Sequence, residues 1–358
     1  PTGATPTVMT HLDTHLEMSA VHERKRTQDS LWPKRVWQSH QAVGVGQDKN
    51  QLELLGSIDR IDLARETALH VIAVVRNEMT MLPHFLGHYR RLGVKCFLMV
   101  DNVSDDGTRE YLLGQPDVVL FSADTQYRRS HYGVAWQQAL MSNLSLGKWV
   151  LLADADELLV YPECETRDLM SFIGQVEDEG ADCVRTDMID MYPAGDLREA
   201  DFTRQSPFKA APMFDTQPLR KWCLGSGWFS NSVNWSSSLR HRIDENAEPH
   251  AFVSQKYALL RYQPWIRFAE GLHYISGTAK IASKPIWFAH FKYHAGFQRK
   301  VETEIRRGQH FNNAKEYRRY AAMLAESRGC FKEEVLSSKY TDSQSFTGLN
   351  SLQLSESI

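Results

Sequence analysis

The stretch Trp149 to Pro162, WVLLADADELLVYP, constrains this chain more than any other. Its apolar run from Trp149 to Ala153 has the length and composition of a buried strand, and it stops at three carboxylates, Asp154, Asp156 and Glu157. Carboxylates are seldom buried without a partner, so three of them at the end of an apolar run call for a cation, for ligand hydroxyls or for open water. A hard divalent ion that takes one or two carboxylates and leaves the rest of its sphere to water and phosphate describes a Mg²⁺ or Mn²⁺ site that binds a nucleotide. The competing reading is an exposed turn, where Asp-x-Asp is common, and the surrounding pattern has to decide between them.

That pattern repeats. Leu69 to Val75, LHVIAVV, predicts a buried strand followed by Arg76, Asn77 and Glu78. Pro83 then suits a first helical turn, and Leu82, Phe85, Leu86, Tyr89 and Leu92 recur at helical spacing until Gly93. Lys95 to Val100 predicts a second strand, followed by DNVSDDGT at Asp101 to Thr108 and a short helix through Tyr111 and Leu112. A third strand at Val118 to Phe121, a helix from Gly133 to Asn143 and a turn at Gly147 lead back to the Trp149 run. Alternating strands and helices imply right-handed crossovers and a parallel sheet with its carboxyl ends on one edge. Asn77 and Glu78, the cluster Asp101 to Asp106, and Asp154 to Glu157 are therefore expected to meet in one crevice, where open α/β sheets bind ligands. An acid-rich crevice suits ribose hydroxyls, base edges and a metal that itself carries the phosphates.

Other classes recede. At 358 residues the chain makes one large domain or two small ones, and its net charge of −3 gives no pull toward nucleic acid. No G-x-G-x-x-G follows the first strand and no G-x-x-x-x-G-K-[ST] occurs, which disfavours dinucleotide oxidoreductases and P-loop enzymes. Five scattered cysteines without a C-x-x-C pair point to a reducing cytoplasm, and no apolar run approaches eighteen residues. The start lacks an initiator Met and a charged leader with an apolar core, as in a trimmed or processed chain. Residues 1–65 read as a polar extension of uncertain structure, whose Trp32 and Trp37 imply packing on the main domain or on a second subunit. Residues 346–358 read as a peripheral tail.

Beyond Pro162 the pattern loosens into a helix near Asp168 to Val176 and a strand at Cys183 to Met188 that leads into Asp190. The aromatic-bearing stretch Asp196 to Pro264 has the character of specificity loops, and its substrate is not legible. Pro285 to Tyr293, PIWFAHFKY, predicts a strand that places His290, Lys292 and His294 on one face. His290 can complete a metal sphere and Lys292 can meet a diphosphate, or the face is a solvated edge. Zinc on His290-x-x-x-His294 is disfavoured, because Phe291 stands where an H-E-x-x-H motif has glutamate. Helical spacing over Gln298 to Glu326 reads as packing and surface, with Arg306, Arg307 and His310 as further phosphate contacts.

Assembled, VVRNE at Val74 to Glu78, DNVSDDGT, DADELLVYP at Asp154 to Pro162, HFK at His290 to Lys292 and GQHFNNAKEYRRY at Gly308 to Tyr320 resemble a nucleotide-sugar glycosyltransferase of the GT-A fold, close to the bacterial family 2-like enzymes. The resemblance implies an α/β fold with a Rossmann-like, mostly parallel central sheet flanked by helices, a nucleotide-sugar half at 66–162 and a mixed acceptor half at 163–345. It also implies that Asn77, Glu78, Asp101 and Asp106, with neighbouring Val75, Arg76, Asn102, Ser104 and Ala155, line the donor pocket. Asp154 and Asp156 become the DxD pair that holds Mn²⁺ or Mg²⁺ and the diphosphate, with His290 as third ligand and Lys292 beside the phosphates. The general base stays open between Asp190 and Glu270, with Asp187 and His273 in reserve. The implied reaction is an inverting sugar transfer to a saccharide or glycolipid in cell-surface polysaccharide synthesis, met from the cytoplasmic side of the membrane without nucleic acid. The rivals are an inactive nucleotide- or carbohydrate-binding scaffold, a two-carboxylate glycoside hydrolase and a nucleotidyltransferase.

Overall fold

The computed structural model describes residues 37–38, 51–222, 234–244, 246–248, 251–266, 268–269, 272–275, 279–308, 311–327 and 329–349. The chain divides into two compact units that interleave in sequence. One comprises Pro1–Asn77, Lys95–Leu152 and Arg261–Ile266, the other Glu78–Val94, Ala153–Leu260 and Arg267–Ile358.

In the first unit the apolar runs become β3 (Leu69–Val75), β4 (Phe97–Asp101), β5 (Val118–Ser122) and β6 (Trp149–Leu152), which lie in the order β5-β4-β3-β6, all parallel. Near-continuous hydrophobicity is what parallel strands covered on both faces need, and β4 and β6 are buried throughout. β1 (Trp37–Gln38) and β2 (Gln51–Leu55) extend this sheet antiparallel beyond β5. The extension whose structure the sequence left open thus supplies two strands and most of the helix Arg60–Glu66. Leu52 and Leu54 bury while Glu53 between them is exposed, the period of a strand with one covered face. Register pairs Val75 with Asp101, so the segments after β3 and β4 leave the sheet side by side.

The second unit holds β7 (Glu157–Val160), β8 (Cys183–Asp190), β12 (Gln255–Arg261) and β15 (Ile286–His290), ordered β12-β8-β15-β7. β15 runs parallel to β8 and antiparallel to β7, and β12 runs antiparallel to β8. Short ribbons pair β9 (Met213–Asp215) with β16 (Ser337–Lys339), β10 (Leu219–Trp222) with β11 (Asn234–Ser237), and β13 (Phe268–Ala269) with β14 (Tyr274–Ile275). The helix Leu82–Arg91 starts with Pro83 in its first turn, and Asp168 caps Leu169–Asp178 by accepting from the Ser171 N–H at 2.7 Å. Phe297–Arg307 and Phe311–Ser327 close over a core that includes Tyr192, Met213, Tyr293, Phe297, Val301 and Tyr320.

Three expected elements change shape. The strand predicted to reach Ala153 ends at Leu152, and ELLV forms the separate strand β7, so Asp154 to Asp156 is a turn between two strands. The strand predicted to reach Tyr293 ends at His290, so strand alternation does not align Lys292 and His294 with it. The second strand runs Phe97–Asp101, which makes Asp101 its last residue. Among the described residues no helix is long and apolar enough to cross a membrane, and Cys96, Cys164, Cys183 and Cys330 form no disulfide.

Candidate functional site

In the first unit the predicted nucleotide residues form a self-satisfied turn. Asn77 sits at φ 54° just past β3, a conformation asparagine tolerates. Its N–H donates to Ser104 Oγ at 3.0 Å, its Nδ2 donates to Asp105 Oδ1 at 2.7 Å, and its Oδ1 accepts from the Asp105 N–H at 2.9 Å. Asp101 is fully buried and accepts from the Ser104 N–H at 3.2 Å and from Arg109 Nε at 2.8 Å. Asn102 donates its Nδ2 to the carbonyls of Ala123 and Thr125, and its own carbonyl accepts from Arg76 Nη1 at 2.8 Å. Val75 is buried within β3, and Asp106, at the exposed tip, accepts from the Thr108 N–H at 3.0 Å. Asp101 and Asn102 thus order the loop, while Asn77, Asp105 and Asp106 face solvent.

In the second unit, register sets Asp190, His290 and Glu157 in one row at the ends of β8, β15 and β7. Asp190, 4 % exposed, accepts from Ser237 Oγ at 2.5 Å, from Arg240 Nε at 2.9 Å and Nη2 at 2.8 Å, and from His290 Nδ1 at 2.7 Å. Burial alone would raise its pKa, but Arg240 and His290 together hold it far below the carboxylate range. A carboxylate with four donors on it positions His290 and is poorly placed to accept a proton from substrate. Because Nδ1–H donates to Asp190, His290 turns Nε2 toward Asp156 Oδ2, 3.7 Å away, an ion pair too long for a hydrogen bond. Burial disfavours the imidazolium, yet Asp156 and Asp190 outweigh it and raise the His290 pKa. Burial likewise opposes charge on Asp156, and His290, Lys300 and Lys292 hold its carboxyl well below the usual range.

Glu157, 1 % exposed, ties the turn together: one oxygen accepts from the Asp154 N–H at 3.0 Å and the other from Lys256 Nζ at 2.6 Å. Lys256 also donates to Asp154 Oδ2 at 2.7 Å. Ala155 is buried between the two aspartates. Lys300 donates to Glu78 Oε1 at 2.6 Å, and burial still pushes the Glu78 carboxyl up to about 6 in spite of that lysine. Lys292 lies 4.9 Å from the centre of the Tyr320 ring and 3.9 Å from Glu316 Oε1, a cation–π seat with a distant carboxylate.

A divalent ion held by Asp154, Asp156 and His290 would need their donor atoms about 2.1 Å from one point. Asp154 turns to Lys256, Asp156 faces His290, and among the described residues no group of three or more His, Cys, Asp or Glu converges to hold a metal. The predicted ligand set does not fit this arrangement.

Glu270 lies outside the described residues, as does His310. Asp187 pairs with Arg185 Nε at 3.0 Å, and burial pushes its carboxyl up to about 6 against that guanidinium. His273 Nδ1 donates to the Gln255 carbonyl at 2.7 Å, and burial lowers its pKa to about 4. Arg307 pairs with Glu304 and Arg306 donates to Thr303, both within their own helix. Sequence reasoning missed Lys256, Arg240 and Lys300. Lys256 had a signal, a charge directly before the apolar run Tyr257 to Leu260 of the strand Gln255–Arg261.

Neither the protein-family models nor the curated proteins contain a match to this chain. Among solved structures it is similar to S. aureus TarS 1–349, at 14 % identity over 73 % of this chain and 72 % of that one, TM-score 0.32. The same protein in complex with UDP-GlcNAc aligns at 17 % identity and TM-score 0.24 over 35 % of this chain, which spans about a third (34 %) of that one. A putative glucose-1-phosphate thymidylyltransferase from Bacillus anthracis, in complex with a sucrose, aligns at 7 % identity over 76 % of this chain and 89 % of that one, TM-score 0.27. Identity this low leaves the function to the geometry of the chain itself.

Proposed function

We propose that this chain transfers a sugar from a nucleotide-sugar donor to a hydroxyl of a saccharide or glycolipid acceptor. The observation that carries the reading is the Asp154-x-Asp156 turn after the apolar strand β6, set in the second unit among His290, Lys256, Lys300 and Lys292. Fixed charges of this kind stabilise a leaving diphosphate without reorganising during the reaction. In this reading Lys292, whose carboxylate neighbour Glu316 Oε1 stands 3.9 Å away, meets the diphosphate. Asp156 and His290 flank the sugar phosphate bond. With Asp190 committed to His290, Glu270 takes the acceptor proton, and in-line attack inverts the anomeric centre. A lipid-linked acceptor is met at the inner face of the cytoplasmic membrane.

The test is a thermal-shift panel of nucleoside diphosphates and their sugars on wild type and Asp156→Ala. A ligand that binds only the native state raises the melting temperature. One nucleotide series is expected to raise it in wild type, with the shift reduced in Asp156→Ala. If no nucleotide shifts the wild type, the donor-site reading is wrong and the hydrolase moves forward. Release of a nucleoside diphosphate, with no inorganic diphosphate, separates the transferase from a nucleotidyltransferase.

A further inference from the structure

Lys256 is the odd residue of the second unit. It is the second residue of β12, just before the run Tyr257 to Leu260, its side chain is 8 % exposed, and its ammonium bridges Asp154 Oδ2 at 2.7 Å and Glu157 Oε1 at 2.6 Å. Glu157 passes its other oxygen back to the Asp154 N–H, which closes a ring of contacts through turn, strand and lysine. We propose that Lys256 is the built-in cation of the Asp154-x-Asp156 turn, so that Asp154 orders the turn as a lysine-paired carboxylate and the donor diphosphate binds without a divalent ion on Asp154. The statement about the donor rests on the sugar-transfer reading, whereas the statement about Asp154 and the metal does not.

The physical argument concerns what an incoming ion would have to do. A divalent cation on Asp154 Oδ2 would sit against a buried ammonium, and like charges at that range repel even beside a half-exposed carboxylate. To admit the ion, Lys256 would have to give up a carboxylate partner while remaining buried, a loss that ion pairs removed from water resist. The lysine also leaves Asp154, Glu157 and Lys256 with a summed charge of −1, a weaker attraction for a divalent ion than the two bare carboxylates would offer. Asp156 instead pairs with His290 at 3.7 Å, and Lys300 and Lys292 also act on its charge. The two aspartates of the motif therefore have different occupations: Asp154 belongs to the fold and Asp156 to the ligand.

The experiment uses the full chain and Mn²⁺ alone, followed by the electron paramagnetic resonance signal of the unbound ion, on wild type, Lys256→Met and Lys256→Gln. Both lysine variants are expected to bind Mn²⁺ at least tenfold more tightly than wild type, since each leaves Asp154 and Glu157 without their ammonium. Equal or tighter binding by wild type, or no binding by any folded lysine variant, overturns the proposal. Asp154→Asn, at a half-exposed side chain that tolerates an isostere, keeps the question decidable if the lysine variants do not fold. Nucleoside diphosphate affinity in EDTA and in Mn²⁺ is expected to differ less than twofold in wild type and in Asp154→Asn. A loss above tenfold in EDTA, restored by Mn²⁺ in wild type and not in Asp154→Asn, sinks the idea. Absence of nucleotide binding under every condition refutes the sugar-transfer reading instead, and the Mn²⁺ titrations still decide the role of Lys256.

Discussion

The two acid clusters solve the same electrostatic problem differently. In the first unit Asp101, Asp105 and Asp106, at and just past the end of β4, are satisfied by the N–H groups of Ser104 and Thr108 in the same loop, by Asn77 Nδ2 from the neighbouring loop and by the partly exposed Arg109 on Asp101. In the second unit Asp154, Glu157 and Asp190 are satisfied by cations from distant parts of the chain: Lys256 and Arg240 lie on a strand and a short helix far along the sequence. Local hydrogen bonds make a loop that keeps its shape and stays wet. Long-range ion pairs make a cluster whose charge is fixed by the fold and whose loss is costly, because each deletion strands a buried partner.

The comparison can be broken by experiment. Arg240→Met, which leaves Asp190 with only Ser237 and His290, is expected to cost about 3–5 kcal/mol in denaturant unfolding. A cost near zero would show that the second cluster is no more demanding than an ordinary surface pair. The buried histidines sharpen the contrast through pH. His70 in the first unit, set between Ser145 Oγ and Ala64 O, has its pKa lowered to about 4, chiefly by burial and then by Lys148. Its folded pKa lies below the ordinary value near 6.5, so the unfolded chain binds the extra proton and stability falls as pH drops from 6.5 toward 4, by about 2–3 kcal/mol. His290 works in the opposite sense: burial lowers its pKa, but Asp156 and Asp190 raise it more, so its contribution is present below 6.5 and is lost as pH rises through the folded value. His70→Gln should flatten the acid side of the stability curve and His290→Gln the other side, and exchanged effects would contradict the two assignments. Arg109→Met, at a partner open to water, is expected to cost about 1–2 kcal/mol, since Asp101 keeps its bond from Ser104. Asp105→Ala removes the bond from Asn77 Nδ2 at an exposed turn, while the backbone N–H keeps its bond to Asn77 Oδ1, and should cost about 0.5–1 kcal/mol in the same assay.

Much of the first unit was legible because parallel strands covered on both faces must be apolar along their length, and Leu69–Val75, Phe97–Asp101, Val118–Ser122 and Trp149–Leu152 announce themselves that way. The helix Leu82–Arg91 was equally plain from Pro83 and its apolar spacing. β2 was hidden because its alternation, Q-L-E-L-L, is short and sits in a polar extension. β7 was hidden because ELLVYP continues an apolar run across the acids, and hydrophobicity alone cannot show where one strand turns into the next. Asp154, Asp156 and His290 could be picked out as a chemical group, but their partners could not. Lys256 and Arg240 meet acids 102 and 50 residues away, and which strand neighbours which is a property of topology that no local spacing encodes. Asp101 shows the converse: it was foreseen beside the end of its strand, while its burial and its bond from Arg109 were not.

The contacts that helix Leu82–Arg91 makes with β7 carry a consequence for how this chain behaves in a crowded solution. β7 ends the β12-β8-β15-β7 series, and the outermost strand of a sheet offers unpaired carbonyls to any extended segment that drifts past. Here the Glu157 carbonyl accepts from Tyr89 Oη at 2.9 Å and the Leu159 carbonyl from His88 Nε2 at 2.8 Å. Two side chains from a helix thus stopper alternate acceptors along the border of the sheet. The same tyrosine and histidine that brace β7 as it leaves the acid turn also deny a second molecule the template it would need to add a strand.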